Sequence, residues 1–187
     1  MMAPRPMRAD ARRNYERLLA TAREAFREHG PDAPLDDIAR RAGVGAGTLY
    51  RHFPNREALI EAVYRDDIER LCAGAHQLLA EHEPGKALEL WMRDRLAFVL
   101  QKRGVAHTLK AAMDRDSETF AYCRSLMNDA AEEVLRHAQE AGAVRADVQP
   151  RDLLLLGHGV CVAADEDEEL AGRLLSVMLD GLKPQPA

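Results

Sequence analysis

The stretch at positions 36–53, DDIARRAGVGAGTLYRHF, leaves this chain few ways to fold. Pro34 and Pro54 stand at its two ends, and Gly43 interrupts it. Proline lacks a backbone donor and clashes with the preceding turn, so no helix runs on through Pro54. Pro34 suits a first helical turn, where its missing N–H removes nothing. The pattern predicts a short helix over about Leu35–Ala42 and another over about Ala46–Phe53. Gly43 supplies the left-handed backbone that a tight turn between them demands. Two short helices joined this way cross steeply. Ala39 is small where they approach, and Ile38, Val44, Leu49 and Phe53 supply apolar faces to hold the pair against a preceding helix. The outward face of the second helix keeps Thr48, Tyr50, Arg51 and His52.

The rest of the chain also reads as helix. Tyr15, Leu18, Leu19, Ala22, Ala25 and Phe26 follow helical spacing from Asp10 to the stop at Gly30-Pro31. Residues 1–8 read as a mobile arm, a disordered tail first of all, with a minor groove as the alternative reach of Arg5 and Arg8. Asn55 can cap a long helix, Arg56–Glu81. A fifth helix opens at Glu83-Pro84-Gly85, and Gly104 separates it from a short sixth, Val105–Met113. A seventh runs from Asp116 or Ser117 to Gly142, and AVRADVQP carries turn signals. Helices at Arg151–Ala164 and about Glu168–Leu182 complete nine, the acidic run at 165–169 falling at a helix start. Strand formers are sparse, and Ala, Leu, Arg and Glu dominate a chain that is 47% hydrophobic and 5% aromatic. An all-α fold follows.

The net charge of −5 hides an asymmetry. Residues 1–56 hold 11 Arg, no Lys and 7 acidic residues, a balance of +4, and the remainder is −9. Such a split fits a basic head that meets a polyanion, although charge alone fits an unevenly solvated surface equally well. The N-terminal run lacks the apolar core of a signal peptide. The longest apolar run, Leu153–Ala164, is interrupted by His158 and falls short of the roughly 20 residues a membrane span needs. Cys72, Cys123 and Cys161 form no close pair, which fits a reducing, cytoplasmic setting.

Ile38-Ala39, Ala42-Gly43-Val44, Gly47-Thr48-Leu49-Tyr50, His52-Phe53 and Arg56-Glu57-Ala58-Leu59 resemble the tetracycline-repressor (TetR) family of transcriptional regulators over about residues 10–64. The remaining two-thirds is similar in helix pattern only, with a VRADV-type link. The resemblance implies a nine-helix protein with a helix-turn-helix DNA-binding head at 1–55 and a ligand-binding, dimerising body at 56–187. It implies DNA contact by Thr48, Tyr50 and His52, with Arg56 at phosphate where the family often has Lys, and Ala46 and Gly47 near base edges. Arg51 joins this set from its place on the outward face. Pro34-Leu35 stand where the family often has a capping Thr, which leaves Arg40 or Arg41 to replace one phosphate contact. With Gly45-Ala46 less polar than usual, thymine-methyl contact and shape readout carry more of the specificity.

The last two helices are apolar on more than one face, which calls for partners on two sides. A twofold-related subunit fits, with Leu154, Gly157, Val160, Leu174 and Met178 as interface candidates. The resemblance places a ligand pocket within the fourth to seventh helices, where Trp91, Phe98, Leu109, Met113, Phe120, Cys123 and Met127 match. They suit a small apolar effector, and a plain core fits the same stripe. The resemblance implies repression of a palindromic operator, relieved by that effector. No sequence pattern points to an enzyme, a cofactor or a membrane partner. His158-x-x-Cys161 offers two metal ligands where four are wanted. A redox-sensing regulator and a helical protein-interaction adaptor are the rival readings.

Overall fold

The computed structural model describes residues 6–101, 118–165 and 167–184. Among them are eight helices and no strand: α1 (Pro6–His29), α2 (Leu35–Arg41), α3 (Ala46–His52), α4 (Arg56–Glu81), α5 (Pro84–Gln101), α6 (Glu118–Glu140), α7 (Pro150–Ala164) and α8 (Glu168–Gly181). The all-α reading holds, while the expected helix at Val105–Met113 lies outside the described residues. None of the described helices is long and apolar enough to cross a membrane.

α1 starts at Pro6, earlier than Asp10, so part of the expected arm is helical. Proline is tolerated in a first turn, whose N–H groups have no intrahelical acceptor in any case. α4 begins as the sequence indicates, with the Asn55 side chain accepting the Ala58 N–H at 2.8 Å. α7 opens on a capping box, Gln149 with Asp152, and has Pro150 in its first turn. Asp167 caps α8 by accepting the Leu170 N–H at 2.8 Å, and Glu168 and Glu169 follow in the first turn, favourable at the positive end of a helix.

The chain divides into two compact units, and the division falls inside α4, between Asp66 and Asp67. Leu59, Ile60 and Val63, on the part of α4 that belongs to the first unit, are all buried. In that unit α2 packs on α1 and on α3. Leu18, Ala22, Phe26, Ile38, Leu49 and Leu59 are almost wholly removed from water. Arg23 of α1 donates to Asp66 at 2.5 Å.

In the second unit α5 packs against α6, α7 and α8, and α7 lies against α6 and α8. Trp91, Met92, Val134, Leu135, Leu153 and Leu175 form its centre. The later residues of α4 join this unit as well: the Leu71 backbone carbonyl accepts from the Trp91 indole at 3.3 Å, and His76 sits 2.6 Å from Glu133.

A candidate nucleic-acid interface on the third helix

α2 has no side-chain cap. Pro34 stands just before its first turn in extended backbone, one step earlier than expected, and its carbonyl accepts the Asp37 and Ile38 N–H groups at 3.1 Å. The other end of α2 is closed firmly. Gly43, at φ +67°, donates to the Arg40 carbonyl at 3.1 Å, and Val44 donates to that of Ala39 at 3.0 Å. This pair of bonds is a Schellman closure, which needs the left-handed residue glycine provides. It turns the chain sharply, and Ala39, 2% exposed, lies in the tight core of the pair.

α3 begins at Gly45, whose carbonyl accepts the N–H groups of Thr48 and Leu49 at 2.8 and 3.3 Å. Leu49 and Phe53 are buried and fix which way the helix faces. Ala46, Gly47, Tyr50 and Arg51 are consequently exposed, with Thr48 and His52 half-buried beside them. No acidic residue interrupts α3. Tyr50 is 46% exposed, a large aromatic set on open surface. Arg51 lies along its own helix, donating through Nε to the Gly47 carbonyl at 3.0 Å and through Nη2 to Thr48 Oγ1 at 3.2 Å. The His52 ring meets Tyr15 of α1 edge-on, with centroids 5.8 Å apart.

Arg56 has a task within the fold that was not expected of it. Its Nη1 donates to the carbonyls of Pro31 and Ala33, each at 2.6 Å, and the residue is half-buried. It thus clasps the loop between α1 and α2 onto the first turn of α4. Arg40 and Arg41 also have partners. Arg40 pairs with Asp37, and Arg41 donates to Glu28 at 2.8 and 3.2 Å. That hydrogen bond, outweighing slight desolvation, holds the Glu28 carboxyl below its ordinary value. Exposed pairs of this kind are weak in water, so a phosphate can compete for either arginine.

Two arrangements were not legible in the sequence, the Arg56 clasp and the Tyr15–His52 contact. The first joins a side chain to carbonyls, which any residue carries. The second had a faint signal, an aromatic at the rim of the α1 apolar stripe, four residues before Leu19.

In the second unit the expected ligand residues are dispersed in burial. Trp91 and Cys123 are buried, while Phe98, Phe120 and Met127 are half-buried. The Arg124 guanidinium lies 5.7 Å from the Phe120 ring centroid. Leu109 and Met113 lie outside the described residues. A cleft of about 360 Å³ has a different lining, with Leu88, Val144 and Leu182 beneath and Lys86, Glu89 and Lys183 at its edge. All three cysteines are buried, and none is in a disulfide. Burial pushes Cys72 up to about 12, with smaller contributions from Cys123 and Asp129, so it stays protonated at neutral pH. Cys161 is buried and His158 exposed.

Among the interface candidates, Leu154, Val160, Leu174 and Met178 are half-buried. Gly157 is buried and faces α5 of its own chain. A Cβ there would lie 2.5 Å from Arg95 Nη1 and 2.9 Å from Met92 Cε, so glycine serves the approach of α5 to α7. Arg95 uses the space to donate to the Leu154 carbonyl at 2.9 Å. The open apolar surface is instead Leu155, Leu156 and Val162 on α7 and Val177 on α8.

Comparison with known proteins agrees with this architecture. Residues 18–63 match the family described as bacterial regulatory proteins, tetR family, and residues 83–184 match the C-terminal domain of SbtR-like transcriptional regulators. A TetR transcriptional regulator of Streptomyces coelicolor is 39% identical, with 91% of this chain and 99% of that one covered and a TM-score of 0.77. A TetR regulatory protein of Mycobacterium vanbaalenii is 36% identical, with 96% and 100% covered and a TM-score of 0.77. The HTH-type transcriptional regulator UidR of Escherichia coli is 29% identical over 179 residues, 88% of each chain. With two short helices set by Gly43 and an acid-free outward face on the second, the chain belongs to the TetR family of helix-turn-helix transcriptional regulators.

Proposed function

We propose that this regulator is a repressor that binds a near-palindromic operator as a homodimer and leaves it when a small apolar effector enters the body. The observation that carries the reading is the outward face of α3. Ala46, Gly47, Tyr50 and Arg51 stand exposed over a fully buried Leu49. The glycine and alanine let the helix backbone come close to base edges, the Ala46 methyl suits a thymine methyl, and Tyr50 and Thr48 supply hydroxyls. Arg51 can swing from its own helix to phosphate, since the bonds it leaves are exposed. His52 is a further phosphate contact at the end of the helix. Arg56 acts on DNA indirectly in this reading, by holding the loop before α2.

The dimer is supported by the exposed leucines and valines of α7 and α8, which a second copy would cover. The effector is supported by Phe98, Phe120 and Met127, large apolar side chains that the body leaves only half-buried. Whatever binds there must favour one state of the protein over the other, because equal affinity for both shifts nothing.

Affinity for operator DNA across a salt series tests the reading. The wild type is expected to lose affinity steeply as salt rises, through counterion release. Tyr50→Ala is expected to bind about tenfold more weakly or worse. Equal affinity of the two proteins, or a failure of the wild type to bind any genomic duplex, contradicts it.

A further inference from the structure

We infer that Tyr15 of α1 is a positioning residue for DNA binding, and that its ring sets the orientation of the His52 imidazole. The inference rests on the reading that His52 faces an operator phosphate.

Three rings meet at the C-terminal end of α3. Tyr15 and His52 lie 5.8 Å apart with an interplanar angle of 63°, an edge-to-face arrangement. Tyr15 and Phe53 lie 5.3 Å apart at 32°, and His52 and Phe53 lie 6.1 Å apart at 43°. Their burial is graded. Phe53 is 2% exposed and anchors the group, His52 is half-buried, and Tyr15 is 36% exposed at the rim.

His52 is the last residue of α3, and Phe53 after it is already extended. A side chain at such an end has fewer helical neighbours to restrict its rotamers, and an imidazole aimed at phosphate must hold one orientation to be useful. Tyr15 provides a wall that α3 lacks. The edge-to-face geometry sets the positive rim of one ring against the negative face of the other, so the contact selects an angle as well as a distance. Tyr15 is itself well placed to act as a wall. It lies one helical turn before Leu18 and Leu19, both buried, and those two fix its helix in the head.

A double-mutant cycle on an operator selected from random duplexes by the wild-type protein tests this. His52→Ala is expected to weaken binding about tenfold, and Tyr15→Ala about three- to tenfold. Tyr15→Phe, which keeps the ring, should bind like the wild type. The double variant should bind no more weakly than His52→Ala, because Tyr15 has nothing left to orient. If the full Tyr15→Ala loss persists with alanine at 52, or if Tyr15→Ala binds normally, the proposal is overturned while the His52 contact stands. If His52→Ala binds like the wild type, the phosphate reading falls and takes the proposal with it. Tyr15→Leu, which keeps apolar bulk without a ring, enters the same cycle should Tyr15→Ala melt below the assay temperature, and the same outcomes decide.

Discussion

A guanidinium that commits one nitrogen to two carbonyl oxygens at 2.6 Å, as Arg56 does, is hard to replace. Lysine has three donors on a compact head but lacks the flat fork, and alanine leaves both carbonyls to find water. Arg56→Ala is expected to lower stability by about 2 kcal/mol, within the range for hydrogen bonds to charged groups, with lysine recovering part of it. Chemical denaturation followed through α-helix signal measures this, and a variant as stable as the wild type would show the clasp to be dispensable. The resemblance assigned Arg56 to DNA from its motif position, and that position says nothing about the two carbonyls within reach. The outward placement of Tyr50 and Arg51 was easier to read. Leu49 and Phe53 must face inward, and helical periodicity then turns residues 46, 47, 50 and 51 outward.

At the level of elements, the head is assembled from helices too short to stand alone. Neither α2 nor α3 has a side-chain cap at its start, and helices of seven residues are marginal in water. They persist because Ile38 and Leu49 are wholly buried and because Gly43 closes α2 in one fixed turn. Gly43→Ala places a Cβ where φ is +67°, though nothing lies within 4 Å of it, so the penalty is conformational alone. About 1–2 kcal/mol of destabilisation is expected, read as a lowered melting temperature. No change in melting temperature would mean that the turn relaxes to a right-handed form. The element boundaries were largely legible because proline, glycine and asparagine punctuate them. The start of α1 was not, since Pro6 and Arg8 read as readily as an arm.

At the scale of the whole molecule, the outward side of the last two helices matters most. Leu155 is 57% exposed, Val162 53% and Val177 70%, and single apolar side chains of this kind are ordinary while a group of them is not. Placing a charge there should separate the proposed dimer: Val177→Glu or Leu155→Glu is expected to sediment as monomer at micromolar concentration and to bind operator far more weakly. Wild-type protein that is already monomeric at that concentration would refute the dimer outright. Gly157→Ala separates two roles that the sequence could not. It would strain the approach of α5 to α7 and lower stability, leaving the association of the variant that does fold unaffected. A close approach at this glycine is legible in the sequence, and that α5 makes one such approach is not.

The Arg56 clasp also bears on the order in which the head is made. The loop before α2 leaves the ribosome early, and the guanidinium that pins it leaves only with the first turn of α4, as does the Asn55 cap. A nascent chain ending at Phe53 holds both short helices of the motif without the contacts that fix their entry. The outward face of α3 is therefore expected to become native only after the start of α4 has emerged, so that first turn acts as the final latch on the short helices that precede it in synthesis.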